Sequence, residues 1–313
     1  MTIGEHLRTF GDKVVKDYDD DFRITDPKGE SVRISLSYDE FNDDGLFWED
    51  KLDKVLADPR VEELQSLVIG AWEDVGSQDS EFIVELLVNN KDNLPNLREL
   101  FFGDIVLEES EVSWINHADM SPIIANFPKL THFVIRGSNG LEFEQPIDHD
   151  NLRSLVIQCG GLPRKVVERI ATGKMPNLEH LELWLGEDNY GGNCSMDDLR
   201  PIAYENLFPK LVFLGLKNSE VQDAIAELVA NSPILKQIKI LDLSMGTLSD
   251  KGGNALLASP DIKKLEFLDL QHHYLSSDMI KKFRSLGINV CVDDQQEAEL
   301  NDDEIWRFVQ VSE

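Results

Sequence analysis

Four stretches of this chain repeat one spacing of apolar residues: a first, a second three positions on, and a third two positions after that. The spacing occurs at Leu178, Leu181 and Leu183, and at Leu211, Leu214 and Leu216. It recurs at Ile238, Leu241 and Leu243, and at Leu265, Leu268 and Leu270. The steps from Leu211 to Ile238 and from Ile238 to Leu265 are each 27 residues. A period in this range with this pattern is the signature of a leucine-rich repeat, one strand per repeat. More diverged copies start at Leu64, Leu97, Leu130 and Leu152, which makes eight predicted strands. A ninth follows, where Ile288, Val290 and Val292 alternate as a half-buried strand does.

Between the strands the apolar spacing turns helical. Ser121 and Pro122, ahead of Ile123, Ile124 and Phe127, predict a cap and a proline at the first helical position. Ser195 with Asp198 predicts a capping box before Leu199 and Ile202. Val221, Ala224, Ile225, Leu228 and Val229 keep helical spacing; Ser249 precedes Leu256 and Leu257, and Ser277 precedes Ile280 and Phe283. Strand and helix therefore alternate. The predicted fold is an α/β leucine-rich-repeat solenoid, a horseshoe of the ribonuclease-inhibitor-like kind, with a parallel concave β-sheet and convex helices. Nine positions into each repeat stand Trp72, Ile105, Ser138, Gly160, Gly186, Ser219, Gly246 and His273. No asparagine ladder runs through them, so the array is divergent.

The two ends do not repeat. Residues 1–62 are expected to form an N-terminal cap, with a strand through Val32, Ile34 and Leu36 and a helix through Leu52, Val55 and Leu56. Asp17, Asp19, Asp20 and Asp21 read as a solvated acidic loop. Repeats fill 63–293. Residues 294–313 read as an acidic linker leading to a C-terminal cap segment, because Trp306, Phe308 and Val309 are too apolar for a free tail.

Charge narrows the partner. Asp and Glu number 59 against 30 Lys and Arg, a formal net charge of −29. Nucleic acid and anionic membrane are both repelled by such a chain, so the acidity reads either as solubility, a solvated face, or as the mark of a protein or peptide partner with a basic surface, which is the partner expected. Cys159, Cys194 and Cys291 are odd in number and far apart, with no CxxC, which fits a reducing compartment. The first residues lack the apolar stretch of a signal peptide, and no run is long enough to span a bilayer. The expected location is the cytoplasm.

No catalytic motif is present: neither GxSxG, nor GxxxxGK, nor HExxH, nor a GxGxxG after a strand. No cofactor is expected, and the chain reads as a non-catalytic scaffold. Strand alternation sets which residues face outward. The middle outward position holds Val68, Phe101, Val134, Val156, Glu182, Gly215, Asp242 and Asp269, apolar early and acidic late. The next holds Gly70, Gly103, Arg136, Gln158, Trp184, Lys217, Ser244 and Gln271. Trp184 beside Glu182 and Lys217 has the chemistry of an interface anchor, or of an aromatic packed on its own loop. The expected partner-binding residues are Trp184, Glu182, Tyr190, Lys217, Asp242, Asp269, His272 and His273. Two other loops stand out, Glu108, Glu109, Glu111 and Trp114, and Asn189 through Gly192. Two alternatives remain. An acidic immunity or inhibitor protein would plug a basic toxin. A metal-dependent enzyme would use Asp269, His272 and His273, although neighbouring residues on a strand point to opposite sides.

Several long phrases resemble a family of uncharacterised bacterial leucine-rich-repeat proteins. They are FFGDIVLEESEVSWI at 101–115, VIRGSNGL at 134–141, GGLPRKVV at 160–167 and EHLELWLGEDNYGG at 179–192. LDLSMGTLSDKG at 241–252, LDLQHHYLS at 268–276 and FVQVSE at 308–313 belong with them. The likeness runs from about Ser37 to Glu313, and the first thirty-odd residues match poorly. The resemblance implies a cytoplasmic, ribonuclease-inhibitor-like protein. It also implies genes for radical-SAM-like and ATP-grasp-like proteins nearby, hence an adaptor role in a peptide-modifying pathway. It carries no catalytic or binding residue across.

Overall fold

A leucine, or Ile238 in one repeat, is buried at the head of each repeat, and the repeat's strand starts two residues later. The computed structural model describes residues 3–19, 23–301 and 304–313. Asp20 and Asp21 of the expected acidic loop, and Asp302 and Asp303 of the expected linker, lie outside the described residues. Two compact units divide the chain: Ile3–Gln158 with Gly173–Met175, and Cys159–Thr172 with Pro176–Glu313. Among the described residues no helix is long and apolar enough to cross a membrane.

In the first unit β1 (Thr9–Phe10) and β2 (Lys13–Asp17) form an antiparallel hairpin. Its two-residue turn begins with Gly11 at φ +57°, a conformation that favours glycine. β3 (Glu30–Ile34) follows, then α1 (Tyr38–Asn42) and α2 (Trp48–Leu56). After these come β4 (Ser66–Ile69), α3 (Glu81–Asn89), β5 (Glu99–Phe102), α4 (Ser121–Asn126), β6 (His132–Arg136) and β7 (Ser154–Gln158). From β2 to β7 the strands pair in chain order and in parallel. The inward residues Leu67, Leu100, Phe133 and Leu155 stack in one register and are buried. α4 begins one residue earlier than its sequence predicts: Ser121 is its first residue, and Asp119 Oδ1 accepts the Ser121 N–H at 3.0 Å.

The outward side of this sheet is also buried. Phe10 from β1 packs against Val68, Phe101, Val134 and Val156, with Leu7 and Val15 alongside. Its ring meets Phe101 edge to face at 5.7 Å. The apolar half of the outward row is therefore a second core, covered by the segment whose role the sequence left open. The strand sequences agree, since SLVI, ELFF and HFVIR are apolar on both faces, as strands buried on both faces are. Asp104, with a fully buried side chain, ties this cover down. It accepts Arg33 Nη1 at 2.8 Å, Arg136 Nη1 at 3.2 Å and the Leu7 N–H at 3.2 Å. His6 Nδ1 lies 3.6 Å from its Oδ2, and His6 Nε2 lies 3.4 Å from Glu109. Burial pushes Asp104 up, yet His6, Arg136 and Arg33 together hold it below the usual range. The hydrogen bonds to Asp104 and Glu109 raise His6 to about 9.

In the second unit α5 (Arg164–Ala171) precedes β8 (His180–Gly186), α6 (Met196–Tyr204), β9 (Phe213–Ser219) and α7 (Gln222–Ala230). Then come β10 (Ile240–Asp242), α8 (Asp250–Ala258), β11 (Phe267–Asp269), α9 (Ser277–Arg284) and β12 (Asn289–Cys291). β8 to β12 pair in parallel and in chain order, with Leu181, Leu214, Leu241, Leu268 and Val290 in register. The Ser195–Asp198 capping box opens α6 as its sequence predicts. Ser249 caps α8, whereas α9 is capped by Ser276, whose Oγ accepts the Met279 N–H, and not by Ser277.

The C-terminal stretch opens with a hairpin. β13 (Glu299–Asn301) and β14 (Glu304–Trp306) pair antiparallel. Trp306 and Phe308 are each 45% exposed, so they are not the buried residues of a cap. Val309, the third residue expected there, is buried, as is Val311, and the segment 308–313 runs over the end of β9 and the loops that leave β10 and β11.

Phe10→Ala should destabilise the protein by about 3 kcal/mol, the usual loss for a buried aromatic, and raise binding of a hydrophobic dye; an unchanged urea midpoint would show that β1 is not a cover. A His6 imidazole raised above its unfolded pKa stabilises fully below pH 6.5, and that contribution is lost as pH rises through about 9. An NMR titration should place the His6 midpoint near 9 in the native chain. It should fall markedly in Asp104→Asn, and an identical midpoint in both would remove Asp104 as the cause.

Candidate functional site

The outward face of β8 to β12 is open where that of β4 to β7 is covered. Strand register sorts it into rows. The row nearest the strand starts holds His180, Phe213, Ile240 and Phe267, all half-buried. The next holds Glu182, Gly215, Asp242, Asp269 and Cys291. Trp184 and Lys217 pair in the third. Aromatic and aliphatic surface therefore lies directly beside a line of carboxylates.

The side chains are held in place by one another. The His180 ring stacks on Phe213 at 3.9 Å with 8° between planes, and its Nε2 lies 3.5 Å from Glu182. Trp184 Nε1 donates to Glu182 Oε1 at 2.7 Å, and Lys217 Nζ sits 6.0 Å from the indole centroid. Lys217 also donates to Asp242 at 2.5 Å, and the Ser244 N–H donates to the other carboxylate oxygen of Asp242 at 2.9 Å. Gly215 leaves the space into which Glu182 and Phe213 lean; a Cβ there would come within 3.1 Å of each. Trp184 is only 8% exposed, so it is a wall of the face and not a projecting anchor.

The electrostatics are lopsided. Burial pushes Glu182 up, but His180, Lys217 and Trp184 hold it below the usual carboxylate range. Asp269 is raised, by burial first and then by the Asp242 carboxylate, and Lys217 offsets only part of this. Among the described residues no side chain forms an ion pair with Asp269, whose carboxylate accepts the Gln271 N–H at 2.9 Å. Three carboxylates share one ammonium.

The remaining expected site residues lie elsewhere. Tyr190 ends a short turn and donates its hydroxyl to Glu313. His272 Nδ1 faces Asp294 at 3.2 Å and its Nε2 faces the Phe308 carbonyl at 3.3 Å. His273 is 0% exposed. Its Nε2 donates to the Val292 carbonyl at 3.2 Å and its Nδ1 accepts the Leu275 N–H at 3.1 Å. Burial lowers its pKa, so it is a neutral interior residue, and partner binding is corrected to exclude it. His272 is buried as well, at 9% exposed, with its ring between Asp294 and the Phe308 carbonyl, so it is no open contact either. Among the described residues no group of three or more His, Cys, Asp and Glu is arranged to hold a metal ion. In the first unit, Glu109 of the acidic loop meets His6, and Trp114 stands exposed in a turn.

Sequence reading missed the row of His180, Phe213, Ile240 and Phe267. The signal was available, because each stands two residues after its repeat's first apolar residue. It also missed Asn218, whose role depends on a left-handed backbone at φ +52°.

No protein-family model matches the chain, and no curated protein matches it. Among solved structures, a crystal structure of a Bacteroides fragilis protein, determined as a structural-genomics target, is similar at 37% identity. The match covers 85% of this chain and 74% of that one, with a TM-score of 0.79. The chain belongs to the same family as this Bacteroides fragilis protein.

Proposed function

We propose that this protein is a non-catalytic binding scaffold that takes a basic, extended segment of a partner protein on the outward face of β8 to β12. The observation that carries the reading is the apolar row His180, Phe213, Ile240 and Phe267 lying beside Glu182, Asp242 and Asp269 with a single lysine among them. An extended peptide alternates its side chains, so apolar groups can lie on the first row while Lys or Arg reaches the second. Asp269 is the natural contact, since an incoming cation would relieve the repulsion from Asp242.

The same reading makes the chain a leucine-rich-repeat solenoid of the ribonuclease-inhibitor-like kind. The support is the recurrence of one inward residue per repeat in register across β8 to β12. It also ranks the chain with the uncharacterised bacterial repeat proteins whose phrases it resembles, as a cytoplasmic adaptor in a peptide-modifying pathway. Three free cysteines fit a reducing compartment. The metal-enzyme alternative loses its support, because both ring nitrogens of His272 and of His273 already have partners within the chain.

The test is an array of extended peptides that vary in charge and apolar content. Peptides alternating Lys or Arg with Leu or Phe should bind, and acidic ones should not. Asp269→Asn should weaken the best binder about tenfold, or roughly 1.4 kcal/mol, and added salt should weaken it further. Trp184→Ala should weaken binding and lower stability by about 3 kcal/mol, since a buried wall is lost. Binding that ignores peptide charge, or that Asp269→Asn leaves untouched, would sink the proposal.

A further inference from the structure

Three residues where strands give way to loops adopt the left-handed conformation that side chains rarely take: Asn218 at φ +52°, Met245 at +68° and His272 at +55°. They stand 27 residues apart, one per repeat: Asn218 at the end of β9, and Met245 and His272 in the loops that follow β10 and β11. Asparagine and histidine are found in this geometry more often than other side chains, but methionine is not. Such strain persists where the surroundings fix it and tends to mark a working site. Here all three residues touch the same thing, the segment 308–313.

The contacts read backbone. The Asn218 amide, fully buried, donates Nδ2 to the Val311 carbonyl at 2.6 Å and accepts the Val311 N–H at 3.0 Å. That reciprocal pair uses no side-chain atom of residue 311. The Gln310 N–H donates to the Met245 carbonyl at 2.8 Å. The Phe308 carbonyl faces His272 Nε2 at 3.3 Å, and Tyr274 Oη both accepts the Phe308 N–H at 2.8 Å and donates to the Phe308 carbonyl at 3.1 Å. Selectivity comes from alternate positions. Val309 and Val311 are buried, while Gln310 and Ser312 are partly exposed. Two residues beyond Val311, the Glu313 carboxylate meets the Tyr190 hydroxyl.

We propose that this strand-exit groove is a binding site for an extended peptide, held shut by the chain's own segment 308–313 acting as an intramolecular ligand. The ligand class follows from the occupant. It is a strand-like peptide of a partner protein with β-branched apolar residues at alternate positions and a carboxylate two residues after the second. The backbone amide contacts supply affinity for any extended chain, and the two valine pockets set the register. Because the resident segment is tethered, it competes at high effective concentration, so an incoming peptide gains access only where that segment is weakened or outcompeted. This site is separate from the sheet face of β8 to β12, and it stands whether or not that face binds a basic partner.

The experiment uses the full chain and a labelled synthetic peptide of sequence FVQVSE. In the full-length double variant Val309→Asp with Val311→Asp, confirmed folded by circular dichroism, the peptide should bind saturably. The native chain should bind it at least tenfold more weakly, and Asn218→Asp added to the double variant should abolish binding, since it removes the amide donor. A folded double variant that takes no peptide, or equal binding by native chain and variant, would overturn the proposal. If the double variant does not fold, the native chain decides. With millimolar peptide, the methyl resonances of Val309 and Val311 should move to solvent-exposed positions; resonances that stay in place would mean the segment is core and not an occupant.

Discussion

One buried apolar side chain per repeat, stacked at the same register, is the constraint from which the rest follows. In β8 to β12 that residue is Leu181, Leu214, Leu241, Leu268 or Val290, and in β4 to β7 it is Leu67, Leu100, Phe133 or Leu155. Strands so stacked lie about 4.8 Å apart. Their outward residues must then fall into rows as well, whatever their chemistry. Like charges separated by whole repeats in the sequence are brought side by side, and the structure has to accommodate them. It does so with Lys217 between Trp184 and Asp242, and with Gly215, whose missing side chain gives Glu182 room.

A parallel strand has a second face, and that face must be covered or polar. The two units settle the matter differently. In one, Val68, Phe101, Val134 and Val156 are too apolar for water, and the hairpin of β1 and β2 covers them. Covering a sheet also buries the charges at its edge. Asp104 is tolerable inside only because Arg33, Arg136, His6 and a backbone N–H all converge on it. In the other unit the outward residues include carboxylates, an indole, a lysine and half-buried aromatics, a polar mixture that needs no cover, although Trp184 and Asp242 are themselves buried by their neighbours. The apolar outward residues of the first unit are structural, whereas those of the second are acidic and partly exposed.

The loops after the strands add a third layer. Left-handed backbone at Asn218, Met245 and His272 turns an amide, a carbonyl and an imidazole toward one line of space, and the segment 308–313 lies along it. Tyr190 and His272, expected as partner contacts, are already in use there. The sheet face and the strand-exit groove thus differ in kind. One presents charge and aromatic surface, and the other reads backbone.

Apolar spacing alone placed the repeat strands β4 to β12 and the helices between them, because a strand of period two and a helix of period about 3.6 leave separable traces, while β1, β2, β13 and β14 left none. The sequence also determined the acidity of the second unit's outward rows, and even the two-sided burial of SLVI, ELFF and HFVIR, whose lack of alternation is legible in hindsight. What lies on those faces was settled by contacts between distant parts of the chain. Phe10 is 91 residues from Phe101 in the chain, and Val311 is 93 from Asn218. Contacts at such separation leave no periodic trace, since either segment alone is a short run of ordinary apolar residues. The burial of both His272 and His273 was decided in the same way, by contacts with Asp294, Phe308 and Val292 that no local pattern announces.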